Sequence, residues 1–437
     1  MKLNEYVSAL KNKRVAVIGI GVSNEPLIKL LRDGGVDVTA RDKTRKGEEL
    51  GVRLITGEGY LDDIDEDVVF RSPGIRPDKI KLRPGAVLTS EMEAFFELCP
   101  CPIIAVTGSD GKTTTSTLIA KLLEAAGKKV WLGGNIGRPL LADCDKIEPD
   151  DRAVVELSSF QLMSMRRSAH TAVITNVAPN HLDWHTSMDE YVRAKKNIYL
   201  YQQPGDVFVT NADNEITRSF ASETTRLFSM KEKQPNGCSY DGKSIYFGDE
   251  EIVRRSDILL PGDHNIENYM AAFAAVYDTV GKKACVETAR SFGGVEHRIE
   301  LVRELRGVKY YNDSIASSPS RCIAGLRSFE GRVILIAGGY DKHIPYDVLG
   351  PVINEKVKTL ILTGQTAPKI KEAVLSAGGE KPRIIETDDL GRAVLAAAAE
   401  AGEGDTVLLS PASASFDQFK NFEQRGNYFK KIVSELK

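Results

Sequence analysis

AVTGSDGKTTTS, residues 105–116, decides how this chain is read. An apolar run at 102–106 breaks at Thr107-Gly108, and a helix-like segment follows at 113–126. Glycines at such a junction let backbone amides turn toward an anion, and the following helix N-terminus adds partial positive charge. Gly108, Ser109, Asp110, Gly111, Lys112, Thr113 and Thr114 therefore read as a phosphate cradle. Lys112 reaches the terminal phosphates and the Thr113 hydroxyl ligates Mg²⁺. The full G-x-x-x-x-G-K-[ST] pattern is not met, since Val106 stands five before Gly111 and Gly108 only three before it. A tight strand-to-helix turn is the alternative. Lysine followed by consecutive threonines favours a nucleotide, and ATP is the expected ligand.

Upstream, RVAVIGIG at 14–21 reads as a buried parallel strand ending in a Gly19-Ile20-Gly21 turn, with helix character at 24–32 and a second strand at 36–41. This is a Rossmann-like βαβ start. Asp42 stands where a dinucleotide site has its ribose-binding acid, but Asn24 replaces the third glycine. NAD, another nucleotide on the same scaffold, and a merely structural turn all remain open. The run 68–70 leads into Arg71-Ser72-Pro73-Gly74-Ile75, either a ligand-binding sheet edge or an ordinary turn.

At 437 residues the chain exceeds one ordinary core. Its expected class is α/β, with domain boundaries near 97 and 297. A net charge of −3 gives no general pull toward nucleic acid or anionic membrane. No stretch is apolar for long enough to insert in a membrane, and residues 1–14 carry no secretory pattern. The six cysteines show neither zinc nor disulfide spacing, and only Cys99 and Cys101 lie close. A cytoplasmic protein with reduced thiols is expected.

Between 98 and 297 strands and helices alternate. VVELSS at 154–159 puts a carboxylate at a buried strand end, where a phosphate-binding domain has its acidic Mg²⁺ contact. Glu156 is the first metal candidate, an exposed strand-end acid being the alternative. NVAPNHLDWH at 176–185 makes His181 and Asp183 metal or substrate candidates. Lys195-Lys196, in a helix near 188–200, lie near the phosphates or on a solvated face. Asn265 and Asn268 share a face at the start of a helix expected at 266–277, where they read a base edge or cap the helix. Beyond 298, strands at 308–311, 332–337, 358–363 and 406–410 predict a further small parallel sheet. Asn312-Asp313-Ser314, residues 338–342 and SPASAS at 410–415 are then polar loops at one edge of it.

TGSDGKTTT, ELSSFQL, NHLDWH, YVRAKKNIY, GDHNIEN, HRIE, YNDS and SPASASFDQFKNFEQRG occur in this order, and together they resemble the Mur ligases of peptidoglycan synthesis. The resemblance implies a Rossmann-like UDP-sugar domain (1–97), a central P-loop-type ATPase domain (98–297) and a C-terminal Rossmann-like amino-acid domain (298–437). From residue 410 onward it points to members that join D-glutamate to UDP-MurNAc-L-alanine through an acyl phosphate. Two Mg²⁺ ions are implied, with Thr113, Glu156, His181 and Lys195, the last carbamylated by CO₂, as their contacts. Asn265, Asn268, Arg298 and Asp313 are implied for the nucleotide. Val22, Ser23, Asp42, Ser72, Pro73, Gly74, Asn135, Ser158 and Gln161 are implied for the UDP-sugar peptide. Ser317, Lys342, Ser415 and Phe422 are implied for D-glutamate. A monomer whose third domain closes over ATP is expected.

One departure stands out. The family often reads N-D-S-K-A-T where this chain has Asn312-Asp313-Ser314-Ile315-Ala316-Ser317, so Ile315 removes a cation from the amino-acid pocket. Lys342, Arg425 or Lys420 are the available compensations. Rival readings are an NAD-dependent oxidoreductase built on residues 19–42, a non-catalytic nucleotide-binding module, and a folate or other amino-acid ligase.

Overall fold

The computed structural model describes all of the chain except residues 45–47, residue 183 and the side chain of residue 48. The expectation placed on Asp183 thus lies outside the described residues. Among the described residues three sheets carry the α/β architecture.

In the first sheet the strand order is Arg53–Thr56, Asp37–Asp42, Arg14–Ile18, Val68–Arg71, Val87–Thr89, all parallel. Val15 to Ile18 are fully buried, as a strand covered on both faces requires. Gly19 has φ +84°, and a Cβ there would stand 2.6 Å from Ser72 Cβ, so this turn admits only glycine. Asn24, in place of the third glycine, is buried and donates to the carbonyl oxygens of Ile18 and Gly19 at 3.3 and 2.9 Å. Asp42 accepts the Ile20 amide at 2.7 Å and the Thr44 amide at 2.9 Å. Both residues stabilise the turn itself.

The second sheet has nine strands in the order Glu250–Arg254, Ser244–Phe247, Cys238–Tyr240, Arg226–Ser229, Val207–Asn211, Thr171–Ile174, Ile103–Thr107, Arg152–Glu156, Val130–Gly134. Pairing is parallel from Cys238–Tyr240 onward, and the two strands before it form an antiparallel edge. The helix expected at 266–277 spans Asp263–Ser291, with an internal break at Gly281 (φ 69°, ψ 172°). The third sheet runs Glu300–Leu305, Val308–Asn312, Thr406–Leu409, Val333–Ala337, Val357–Leu362, Arg383–Glu386. Its first strand is antiparallel, which corrects the expectation of a purely parallel sheet. Arg383–Glu386 also goes beyond the four strands expected. Both additions are edge strands whose charged residues break the apolar pattern.

The chain divides into two compact units, 1–258 with 264–290, and 259–263 with 291–437. The first two sheets fall in one unit because they share a core. Leu3, Val7, Leu31, Phe70, Phe95 and Leu98 cluster with Ile103, Leu140, Leu141 and Val155. Arg71, buried at the end of its strand, donates to the Phe160 carbonyl at 2.8 Å and to Ser164 Oγ at 2.9 Å. Among the described residues no helix is long and apolar enough to cross a membrane.

Glu91, at the start of the helix Glu91–Leu98, accepts the Leu141 amide at 3.1 Å inside this shared core. Burial pushes its carboxyl up to about 7, partly offset by the Leu141 and Leu140 amides. The protonated side chain therefore contributes stability that is fully present below about pH 4.5 and lost as pH rises through about 7. We expect Glu91→Gln to flatten the fall in urea unfolding free energy between pH 5 and 7.5, a difference on the order of 2 kcal/mol. Equal slopes in the two proteins would show the carboxyl to be ionised throughout.

Candidate active site

The strand Ile103–Thr107 and the helix Lys112–Ala125 are joined by a loop that only glycine permits at two places. A Cβ at Gly108 would lie 1.9 Å from Thr175 Oγ1, and one at Gly111 (φ +78°) would lie 2.2 Å from Asn268 Oδ1. The end of the neighbouring strand then pins the loop backbone. Asn176 accepts the Ser109 amide on its carbonyl oxygen at 2.9 Å and the Asp110 amide on Oδ1 at 3.0 Å. Thr175 Oγ1 donates to the Asp110 carbonyl at 2.6 Å. Ser109 Oγ donates to the Ala178 carbonyl at 2.9 Å and lies 2.9 Å from Tyr191 OH. Thr113 and Thr114 follow in the first helical turn.

Two lysines converge on this loop. Lys112 Nζ lies 2.9 Å from the Gly108 carbonyl oxygen and 2.8 Å from that of Ser109. Lys195 Nζ reaches the same Gly108 oxygen at 2.7 Å and stands 4.6 Å over the Tyr191 ring. Lys195 is 1% exposed. Burial first, and then the Lys112 charge, hold its ammonium well below the usual lysine range, against the pull of Asp110 and Glu156. The Lys195-Lys196 ambiguity resolves by separation, since Lys196 Nζ packs over the Phe220 ring at 4.4 Å.

Glu156 is buried at the end of Arg152–Glu156, which excludes the exposed-acid alternative. Its Oε1 accepts Asn135 Nδ2 at 2.7 Å, while Oε2 is buried with no hydrogen-bond partner. An orphaned carboxylate oxygen is costly unless a cation meets it, so Glu156 fits a metal contact. Among the described residues no three His, Cys, Asp or Glu side chains converge.

His181 adopts φ 55° in an exposed loop, its ring 5.0 Å from that of Phe160. Ser158 and Gln161 form a capping box for the helix Ser159–Leu162, so they position the segment after Glu156. Asn268 donates to Asn265 Oδ1 at 3.2 Å and accepts from Thr115 Oγ1 at 3.3 Å, so the amide pair sits against the glycine loop. On the first sheet, the Ser72 amide donates to the Ile18 carbonyl at 2.8 Å. Ser72, Pro73 and Gly74 thereby lie at the same strand-end edge as Gly19 and Asp42. Val22, beyond the Gly19 turn, is 80% exposed, and Ser23 is half-buried.

The second unit has its own polar edge. Val308–Asn312, Thr406–Leu409 and Val333–Ala337 are parallel neighbours, so their three following loops emerge together, as the sequence implied. Asp313 is buried and accepts Ser410 Oγ at 2.7 Å; burial pushes its carboxyl up to about 7, against Ser410 and Arg298. Ser415 is buried and Lys342 exposed, while Ser317 and Phe422 are half-buried. Arg425 corrects an expectation. Its guanidinium is buried and donates to Ser314 Oγ and to the carbonyl oxygens of Ser314, Ser413 and Ala414. It braces two loops and is not available as a free cation for an amino-acid pocket.

Sequence reasoning passed over Arg76, Thr175 and Tyr191. Each matters through a contact with a distant segment, and no local pattern marks such contacts.

A Mur ligase middle-domain model matches residues 106–276, and a Mur ligase glutamate-ligase-domain model matches 297–413. A UDP-N-acetylmuramoylalanine–D-glutamate ligase of Acetivibrio thermocellus is 53% identical over 461 residues, covering 100% of this chain and 99% of that one. Its counterpart in Ruminiclostridium cellulolyticum is 51% identical, with coverage of 100% and 99%. In fold, the chain resembles the UDP-N-acetylmuramate–alanine ligase of Thermotoga maritima, with TM-score 0.60, 19% identity and coverage of 98% and 100%. The glycine loop with its two lysines and orphaned carboxylate thus sits in a chain that belongs to the Mur ligase family, among the UDP-N-acetylmuramoylalanine–D-glutamate ligases.

Proposed function

We propose that this chain joins D-glutamate to UDP-N-acetylmuramoyl-L-alanine at the expense of ATP, a step in peptidoglycan precursor synthesis. The observation that carries this reading is the convergence of Lys112, Lys195 and the orphaned Glu156 oxygen around a glycine loop. End-to-end similarity to relatives bearing that activity's name supports it.

A carboxylate is a weak nucleophile and is repelled by the charge on ATP. In the proposed reaction the alanyl carboxylate attacks the γ-phosphoryl group, giving an acyl phosphate and ADP. The D-glutamate amine then attacks the acyl carbon, phosphate leaves, and an amide remains. Mur ligases in general use ATP and Mg²⁺. Thr113, Glu156 and His181 would hold Mg²⁺, which when bound supplies positive charge to the phosphoryl oxygens. Lys112 adds a cation to the same charge, and the amides of residues 108–111 align the phosphates. Asn265 and Asn268 are assigned to the adenine, and Arg298 and Asp313 to nucleotide contacts. The edge formed by Val22, Ser23, Asp42 and Ser72–Gly74 is assigned to the uridine diphosphate, and Asn135, Ser158 and Gln161 to the sugar-peptide end. Ser317, Lys342, Ser415 and Phe422 are assigned to D-glutamate.

We further assign Lys195 as a carbamate. A buried lysine favours its neutral amine, the form that adds CO₂ with loss of a proton. The product is an anion able to share a cation with Glu156. The domain limits at 97 and 297 and a cytoplasmic location, where ATP and UDP-sugars are supplied, complete this reading.

The direct test is phosphate release from ATP and Mg²⁺ with UDP-MurNAc-L-alanine, offering D-glutamate, L-glutamate and L-lysine separately. Release with D-glutamate alone is expected. Release with another amino acid would overturn the specificity, and silence with all three from folded protein would overturn the ligase reading. Gly111→Ala is expected to weaken ATP binding at least about tenfold by calorimetry while the melting temperature moves only a few degrees, because the added Cβ meets Asn268 and the φ is strained. Lys195→Ala should lose turnover and regain part of it with added short carboxylic acids. A variant active without them would remove the carbamate.

A further inference from the structure

The first sheet touches the ATP-binding segment through one side chain that the reading above does not use. Arg76 follows the Ser72–Gly74 turn, and only 12% of its side chain is exposed. Its Nη1 and Nη2 each donate to a different oxygen of Glu190 at 3.0 Å, a bidentate pair, and Nη1 also donates to the Trp184 carbonyl at 2.6 Å. The guanidinium stands 5.2 Å over the Trp184 ring. Nε goes to Asp78 at 2.9 Å, a partner 59% exposed.

The Glu190 and Trp184 contacts lead to residues assigned to catalysis. The amides of Trp184 and His185 donate to the His181 carbonyl at 3.1 and 2.9 Å, so the Trp184 backbone fixes the left-handed turn at His181. Trp184 Nε1 points back to the Gly74 carbonyl at 3.4 Å. Glu190 lies in the helix Met188–Lys196, which carries Lys195. Its Oε2 also accepts the Thr186 amide at 2.9 Å and faces His185 Nδ1 at 3.3 Å. The other ring nitrogen of His185 lies 2.9 Å from Ser159 Oγ, in the segment that follows Glu156. The Phe160 ring packs on Trp184 and His181 at 4.3 and 5.0 Å. Arg76 holds the Glu190 carboxyl down at about 2, so the pair stays ionised at any working pH.

We infer that Arg76, clamped to Glu190 and Trp184, is a positioning residue that ties the sugar-nucleotide edge at Ser72–Gly74 to the placement of His181 and Lys195. This rests on the assignments of that edge and of those two residues in the proposed function. A nucleotide sugar settling against the turn then bears on the groups around Mg²⁺ through a charged, bidentate link. Rim contacts between exposed charges lack this property.

The test uses the full-length chain and compares wild type with Arg76→Ala, Arg76→Lys, Glu190→Gln and, as a control, Asp78→Ala. Wild-type turnover with D-glutamate comes first, because its absence would overturn the underlying reading and not the clamp. With turnover established, kcat, KM for each substrate and the Mg²⁺ concentration for half-maximal rate are measured. Supporting groups behind metal contacts typically cost 10–100-fold. We expect Arg76→Ala and Glu190→Gln to lower kcat about 10–100-fold and raise the Mg²⁺ requirement about tenfold, with KM for D-glutamate within about twofold. Arg76→Lys should fall between, since an ammonium keeps the charge but not the fork. Asp78→Ala should match wild type. If Arg76→Ala does not fold, the Lys and Gln variants decide. Folded variants with lower melting temperature but unchanged kcat and Mg²⁺ requirement would overturn the inference and leave Arg76 a structural link.

Discussion

A single backbone oxygen, that of Gly108, accepts hydrogen bonds from the nitrogens of two lysines, and much of the first unit's architecture follows from this. Two lysine nitrogens this close inside a protein are tolerated only when dipoles or anions answer them and one gives up its proton readily. Here the answer is local: carbonyl oxygens of the loop, the face of Tyr191, and the carboxylates of Asp110 and Glu156. The loop can present its carbonyl this way because neither Gly108 nor Gly111 has a side chain to hold it off Thr175 and Asn268. Three strand ends and the helix Asp263–Ser291 are thereby drawn to one point. The resulting site sets lysine nitrogens beside a carboxylate with one buried oxygen that has no hydrogen-bond partner.

The N-terminal sheet shows how a dinucleotide-like frame can serve differently. Its Gly-x-Gly turn is present, but the third glycine position holds Asn24, whose amide ties the turn to its own strand. Asp42 is engaged with the Ile20 and Thr44 amides. Asp42, which made NAD a tempting reading, and Asn24, which departed from it, both brace the loop.

What was legible locally was legible for physical reasons. Continuous apolar runs ending in glycine gave the buried parallel strands, and the lysine and threonines after Gly111 gave the phosphate loop. Less was legible where tertiary contact decides. The dipeptide Lys195-Lys196 has no pattern that says which lysine turns inward; the helix phase relative to the loop settles it. ELVREL at 300–305 alternates too weakly to mark a strand, because an edge position does not demand full burial. The break at Gly281 is invisible because an isolated glycine is tolerated in helices. Arg425 looked like a free cation by sequence, whereas its burial among loop carbonyls makes it a brace. The roles implied for the pocket around Ser317, Lys342 and Phe422 came from resemblance and not from any local chemical pattern.

The shared core of the first two sheets bears on how such chains can be cut and recombined. An apolar cluster that draws on Leu3 and Phe95 from one side and Ile103 and Val155 from the other has no natural seam near residue 98. A fragment ending there would carry half of an interface to water. The C-terminal sheet, by contrast, packs its described apolar residues into two clusters confined to 299 and beyond. Exchange between relatives near residue 98 would therefore cut through a packed core, and the inheritable module at the N-terminal end is the pair of sheets.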